Sequence, residues 1–376
     1  MYLDYTPEQQ ALRKELREYF ERLLTPEVRA ELGEPGEGGK AFRRVVRQIG
    51  ADGWLGVGWP KEYGGQGRPA TDQFVFFDEV QRAGAPFPFV TLNTVGPTIM
   101  RFGTDEQKAF FLPGILAGEI NFAIGYTEPE AGTDLASLRT RAVLDGDEWV
   151  INGNKVFTSG ANQADYIWLA CRTDPDAPKH KGISIIVVPT ASDGFKWTPL
   201  VTVGGNVTTA TYYDDVRVAK GNVVGEVNAG WRLITTQLNH ERVGLAAMGG
   251  LAHRLWGEVL EWARATESGE GGTMIDLPWV QMDLARTHAR LEAMKLLNWR
   301  MASAVAAETL VDVYRTLLGV VGAVGYLAAG SPGAVLHGDL ERAGRAAQIN
   351  TFGGGVNEIQ REIVATAGLG MARQAR

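Results

Sequence analysis

A switch in hydrophobic periodicity, made twice, limits this chain to few architectures. Residues 8–24 carry Leu12, Leu16, Phe20 and Leu23 on one helical face with charges on the other. After the loop ELGEPGEGGK, the stripe Phe42, Val45 or Val46, and Ile49 marks a second helix. GWPKEYGGQG (58–67) is turn-rich, and residues 72–118 return to helical spacing, broken at Pro86, Pro88, Pro97 and Pro113. Over 121–223 the pattern becomes short segments rich in β-branched and aromatic residues: EWVINGNKVFTSG, YIWLACRT, GISIIVVPT, FKWTPLVTV and TATYYDDVRVA. Helical spacing then resumes, with loops at ESGEGGTMIDLP (267–278) and AAGSPGAVLHGD (328–339). The order predicts an α+β chain: an N-terminal α-helical domain over 1–120, a middle β-barrel or sandwich over 121–223, and a C-terminal α-helical bundle over 224–376.

Several function classes are set aside by composition. A formal net charge of −7 provides no broad basic surface for nucleic acid. No apolar run reaches the roughly 18 residues of a membrane span, and the start MYLDYTPEQQ is polar and acidic, unlike a signal peptide. The expectation is a cytoplasmic protein. One cysteine, Cys171, leaves no internal disulfide, and five scattered histidines without HExxH spacing give no reason to expect a metal. Neither G-x-G-x-x-G after a strand nor a P-loop is present. GVVGAVG (319–325) has the wrong spacing and reads as helix packing.

Four stretches can carry chemistry. In WRLITTQLNHERVGLAAMGGLAHRLW, Glu241 lies within the apolar stripe of Trp231, Ile234, Leu238, Leu245, Met248, Ala252 and Leu255. A carboxylate on that face is a base with a raised pKa or one half of a buried ion pair, and spacing leaves both open. IGYTEPEAGTDLASLRT (124–140) combines turn chemistry with the hydroxyls of Thr127, Thr133 and Ser137; it suits a heteroaromatic ligand, or a capped turn with Thr133 or Asp134 as N-cap. KVFTSG (155–160) sets Phe157 beside Thr158 and Ser159, which suits a flat ring system or ordinary core. Finally, Gly353, Gly354 and Gly355 precede Val356, Ile359, Ile363 and Ala367 at helical spacing, a loop feeding a helix N-terminus.

Taken together and in this order, YTEPEAGTD, KVFTSG and GGGVNEIQREI resemble the signatures of the acyl-CoA dehydrogenase family, over essentially the whole chain. The resemblance implies FAD bound between the β unit and the C-terminal bundle. It also implies α,β-dehydrogenation of an acyl-CoA thioester, with electrons leaving to an electron-transfer flavoprotein. By position, Tyr126 and Thr127 are expected to meet the isoalloxazine, and Thr133 to lie near the pyrophosphate and pantetheine. Phe157 stands where a Trp usually packs on the flavin, and Ser159 is expected near N5. The glycines 353–355 imply a close approach of backbone to the cofactor, while Asn239 and Arg242 match positions lining the substrate cavity. Many relatives carry their catalytic Glu where this chain has Gly354. A minority place it on a C-terminal-bundle helix just before an Arg, as in Glu241-Arg242, so the resemblance assigns the base to Glu241.

IGYTEPEAGTDLASLRT, ADYIWLACRTDP, ATYYDDVRV and GWRLITTQLN further resemble the base-bearing subunit of actinobacterial steroid side-chain dehydrogenases, which form α2β2 heterotetramers. That implies a steroid carboxyl-CoA substrate and a homologous partner subunit. In keeping with this, the 267–278 loop and VVGAVGYLAAGSP lack the Arg, Phe and Gln that homotetrameric relatives use to clamp a neighbour's flavin. Arg286 or Arg290 is the alternative clamp in a homo-oligomer. A non-catalytic scaffold subunit and a flavin oxidase or monooxygenase on the same fold are the competing functional readings.

Overall fold

A computed structural model describes residues 5–372 apart from 34–37, 206, 246–248, 299–302 and 353–355; for residues 38, 238–245, 298, 303–307 and 367 only the backbone is described. The N-terminal part is helical. α1 (Pro7–Leu23) starts at a capping box in which Thr6 and Gln9 satisfy each other's backbone N–H groups, and it buries Leu12, Leu16 and Phe20. α2 (Pro26–Gly33) and α3 (Gly38–Ala51) follow, α3 burying Val45, Val46 and Ile49. α4 (Ala70–Ala83) ends at Gly84 in the left-handed region. A π-turn, Thr91–Val95, runs directly into α5 (Gly96–Phe102), and α6 (Asp105–Leu116) carries a second capping box from Thr104 and Gln107.

Two of the four prolines do not break the helices as their sequence context suggests. Pro97 falls in the first turn of α5, where no N–H is required, and the wide π-turn before it accommodates the change of register. Pro113 lies inside α6 near its end, so the helix loses one hydrogen bond and continues.

The middle unit is one eight-stranded sheet: β1 (Phe122–Gly125), β2 (Arg141–Asp145), β3 (Glu148–Lys155), β4 (Tyr166–Arg172), β5 (Ile183–Pro189), β6 (Phe195–Val201), β7 (Val207–Ala219) and β8 (Val223–Val224). Its order is β6-β7-β3-β2-β4-β5-β8, with β1 parallel to β4. β4 and β5 read as nearly continuous apolar runs because both their faces are covered. Trp168, Ala170, Ile185 and Val187 join the core shared with the N-terminal helices, whereas Ile167, Leu169, Cys171, Ile186 and Val188 fill a second core on the opposite face.

The C-terminal part comprises α7 (Gly230–Leu245), α8 (Gly249–Ala265), α9 (Pro278–Asn298), α10 (Ser303–Val321), α11 (Asp339–Ala346) and α12 (Asn357–Ile363). Helices α8 to α11 enclose their own core around Leu255, Val259, Leu291 and Leu317. α7 differs. Its Leu233 and Ile234 belong to the core of the N-terminal helices and sheet, and it packs on the π-turn, α5 and β5. The run after the glycine triplet is less amphipathic than its spacing suggests. Asn357 is buried, held by Glu308 at 3.3 Å, while Ile363 is exposed.

Two glycines of α8 make opposite demands. A Cβ at Gly250 would lie 2.4 Å from the Asp78 carbonyl oxygen on α4, whereas one at Gly257 meets nothing within 4 Å among the described residues. Gly257→Ala is expected to stabilise the protein by about 0.5–1 kcal/mol through helix propensity. Gly250→Ala is expected to destabilise it by about 1–3 kcal/mol by forcing α8 from α4. Denaturant unfolding of the two variants checks the opposite signs.

Candidate active site

The loop leaving β1 and the turn ending β3 meet on one side of the sheet. The N–H of Val156 donates to the carbonyl of Thr127 at 2.8 Å, joining them. Beyond Val156, Phe157 adopts φ 61° and is 62% exposed. A left-handed conformation costs a bulky L-residue about 1–2 kcal/mol, and exposing its ring forgoes burial. The core reading of Phe157 is thereby excluded: its ring stands exposed in the turn that Val156 ties to Thr127.

The turn is fixed from behind by β7. Thr158 donates its N–H to the Thr209 carbonyl at 2.9 Å, Thr209 returns its hydroxyl at 2.6 Å, and Ser159 shares a 2.9 Å hydrogen bond with Thr208. Ser159 is exposed and Thr127 half-buried; among the described residues the Thr127 N–H and hydroxyl have no hydrogen-bond partner. A free aromatic face with adjacent unspent donors fits a flat ring bearing acceptor atoms. Thr133 is exposed further along the loop, and Asp134 rather than Thr133 caps the short helix Leu135–Ser137.

Two polar constellations beneath this face are absent from the sequence reading. In the first, Tyr126 donates its hydroxyl to Gln237 Oε1 on α7, and Trp168 Nε1 donates to Tyr126 Oη at 3.1 Å and to Gln237 Oε1 at 3.2 Å. The indole N–H can only donate, so the amide must turn its oxygen toward it. Gln237 Nε2 then faces the other way, buried and without a partner among the described residues. Residue 241 lies four beyond Gln237 on the same helix and so on the same face. The side chains of Asn239, Glu241 and Arg242, and the whole of Gly353, Gly354 and Gly355, fall outside the described residues.

In the second, the Lys155 ammonium is fully buried, donating to Glu128 Oε1 at 2.8 Å and to the Tyr126 carbonyl at 3.0 Å. Glu128 also accepts the N–H groups of Arg139 at 2.7 Å and Thr140 at 2.8 Å. Burial pushes the Glu128 carboxyl up, but the charge and hydrogen bond of Lys155 and the Thr140 donors outweigh it, so its pKa is lowered. Cys171 nearby is pushed up to about 12, chiefly by burial, and is no nucleophile at neutral pH.

The acyl-CoA dehydrogenase N-terminal domain profile matches residues 6–119, the middle domain profile 123–216 and the C-terminal domain profile 228–369. The chain belongs to the acyl-CoA dehydrogenase family. It is 52% identical to the acyl-CoA dehydrogenase FadE26 of Mycobacterium tuberculosis over the full length of both chains. The solved Tcur3481-Tcur3483 steroid acyl-CoA dehydrogenase matches with 61% identity and a TM-score of 0.94, covering 100% of each chain. The ChsE4-ChsE5 complex from Mycobacterium tuberculosis matches with 52% identity and a TM-score of 0.93, again over both whole chains. Among the described residues of this acyl-CoA dehydrogenase, no helix is long and apolar enough to cross a membrane.

The buried pair makes a testable demand on stability. Glu128→Gln leaves a buried ammonium uncompensated and is expected to cost about 3–5 kcal/mol, most of it recovered in Glu128→Gln/Lys155→Met. Because the folded pKa of Glu128 is lowered, its contribution is complete above the ordinary 4.5 and disappears as pH falls through the lowered value. The stability gap between parent and Glu128→Gln should therefore narrow below pH 4.5. Unfolding curves across that range check it.

Proposed function

We propose that this chain is the base-bearing subunit of an FAD-dependent dehydrogenase that introduces an α,β double bond into a steroid side-chain carboxyl-CoA. The observation that carries the reading is identity of 61%, across both whole chains, to a steroid acyl-CoA dehydrogenase. The ring-binding face supports the cofactor: Phe157 would stack on the isoalloxazine, Thr127 and Ser159 would bond its polar edge, and Tyr126 would hold the loop on α7. FAD, when bound, supplies the hydride acceptor for the two electrons leaving the β-carbon. Glu241 would take the α-proton; it lies one turn beyond Gln237, which is buried on the same face of α7. Asn239 and Arg242 line the acyl-CoA cavity beside it, and Thr133 lies toward the pantetheine. Glycine at 353–355 in place of a larger residue would suit a bulky acyl group.

A homologous partner in an α2β2 assembly accords with two features. Both solved relatives carry paired names, and this chain exposes Ile349, Phe352, Ile363, Val364, Leu369 and Met371 around its C-terminus. Arg286 and Arg290, the alternative clamp, are largely exposed and lie 3.8 and 3.7 Å from Asp283 and Asp312 of the same chain. An electron-transfer flavoprotein would take the electrons onward.

Anaerobic addition of CoA esters to the FAD-loaded protein tests the reading. A steroid carboxyl-CoA should bleach the flavin far faster than butyryl- or octanoyl-CoA. Glu241→Gln should retain FAD but react about 10²–10⁴-fold more slowly or less still. Near-normal bleaching by Glu241→Gln assigns the base elsewhere, and equal kcat/KM for short and steroid esters contradicts the substrate. Turnover of a substrate other than a CoA ester, with oxygen as the electron acceptor, would favour an oxidase.

A further inference from the structure

The Lys155 ammonium does not merely neutralise Glu128. Its second hydrogen bond, 3.0 Å, goes to the Tyr126 carbonyl, the backbone of the loop that faces Phe157. No cis peptide bond occurs among the described residues, so the Tyr126–Thr127 peptide is trans and its N–H points away from its carbonyl. The cation therefore sits directly behind a peptide whose N–H, unpartnered among the described residues, points to the side opposite Lys155, in the loop that Val156 ties to the turn carrying Phe157. Stability alone is a poor reason for such a group. Replacing a buried ion pair by apolar side chains of similar volume is often neutral or favourable, and Glu128 already accepts the backbone N–H groups of Arg139 and Thr140.

We propose that Lys155 and Glu128 are positioning residues that set the electron affinity of the bound flavin. Lys155 holds a positive charge behind the Tyr126–Thr127 peptide and strengthens the Thr127 N–H as a donor to the ring's polar edge. A carbonyl that accepts a charge-assisted hydrogen bond polarises its peptide, and in a dry site that polarisation is little screened. The two-electron reduced ring carries more negative charge at its acceptor atoms than the oxidised ring, so a stronger donor and a nearby cation favour the reduced form. Glu128 keeps the ammonium charged and in place while its own charge is spent on Lys155 and the N–H groups of residues 139 and 140. This inference rests on the FAD reading above.

The test is the midpoint potential of FAD bound to the protein, in whichever assembly retains the cofactor. Two neutral pairs are compared with the parent: Glu128→Gln/Lys155→Met, and Glu128→Gln/Lys155→Gln, which keeps hydrogen-bonding capacity at both positions. Each should disfavour reduction about tenfold or more, a shift of about 30 mV to more negative potential per tenfold for a two-electron couple. An unchanged potential in FAD-loaded pairs, even with lowered melting temperature, overturns the proposal and leaves a structural ion pair. Should one pair fail to fold, the other reads the same quantity. A parent protein that retains no FAD in any assembly contradicts the cofactor reading itself, and this inference with it.

Discussion

The Lys155 ammonium occupies a point through which three segments of the chain are joined. It bonds the loop after β1 at Tyr126, the same loop again at Glu128, and through Glu128 the N–H groups that open β2. Water cannot compete there, since Lys155 is fully buried. Without that charge the 126–128 backbone would lose the partner that fixes its direction, and the Val156–Thr127 bond would tie a less constrained loop to a turn still held by β7. The exposed face made by Thr127, Phe157 and Ser159 is thus shaped from beneath, by electrostatics, as much as from the sides by packing.

The second tie is mechanical. α7 leaves the C-terminal bundle's core to pack against the π-turn, α5 and β5, and Gln237 grips Tyr126 and Trp168 from that position. The backbone one helical turn beyond Gln237 is tied to the ring-binding loop by the hydrogen bonds that Gln237 makes to Tyr126 and Trp168. In the proposed reaction that tie bears on proton removal, where small displacements cost large factors in rate.

Local signals in the chain were enough to read the helices, because capping boxes and apolar stripes lie within one turn of each other, as at Thr6–Gln9 and Leu12–Leu16–Phe20. The strands were legible from β-branched runs between turn residues. Where sequence and structure part, the cause is a backbone state without a clear sequence mark or a nonlocal contact. Pro97 looked like a break because the π-turn that accommodates it has no clear sequence mark. Phe157 passed for possible core since its left-handed backbone cannot be seen in KVFTSG. Lys155 had a detectable signal: it falls on the inward alternation of Trp149 and Ile151 in β3, where a lysine requires a partner. That the partner is Glu128, 27 residues earlier, depends on the sheet.

Phe157 offers the most direct test of whether this face exists to hold a flat ring. Phe157→Gly removes the ring and relieves the left-handed backbone at once. The account expects an apo-protein no less stable than the parent, by thermal unfolding, together with at least about a tenfold loss of FAD affinity by fluorescence titration, in keeping with the ~1.4 kcal/mol that a lost aromatic stack represents. Undiminished FAD affinity in Phe157→Gly, or a marked loss of apo-protein stability, would contradict it.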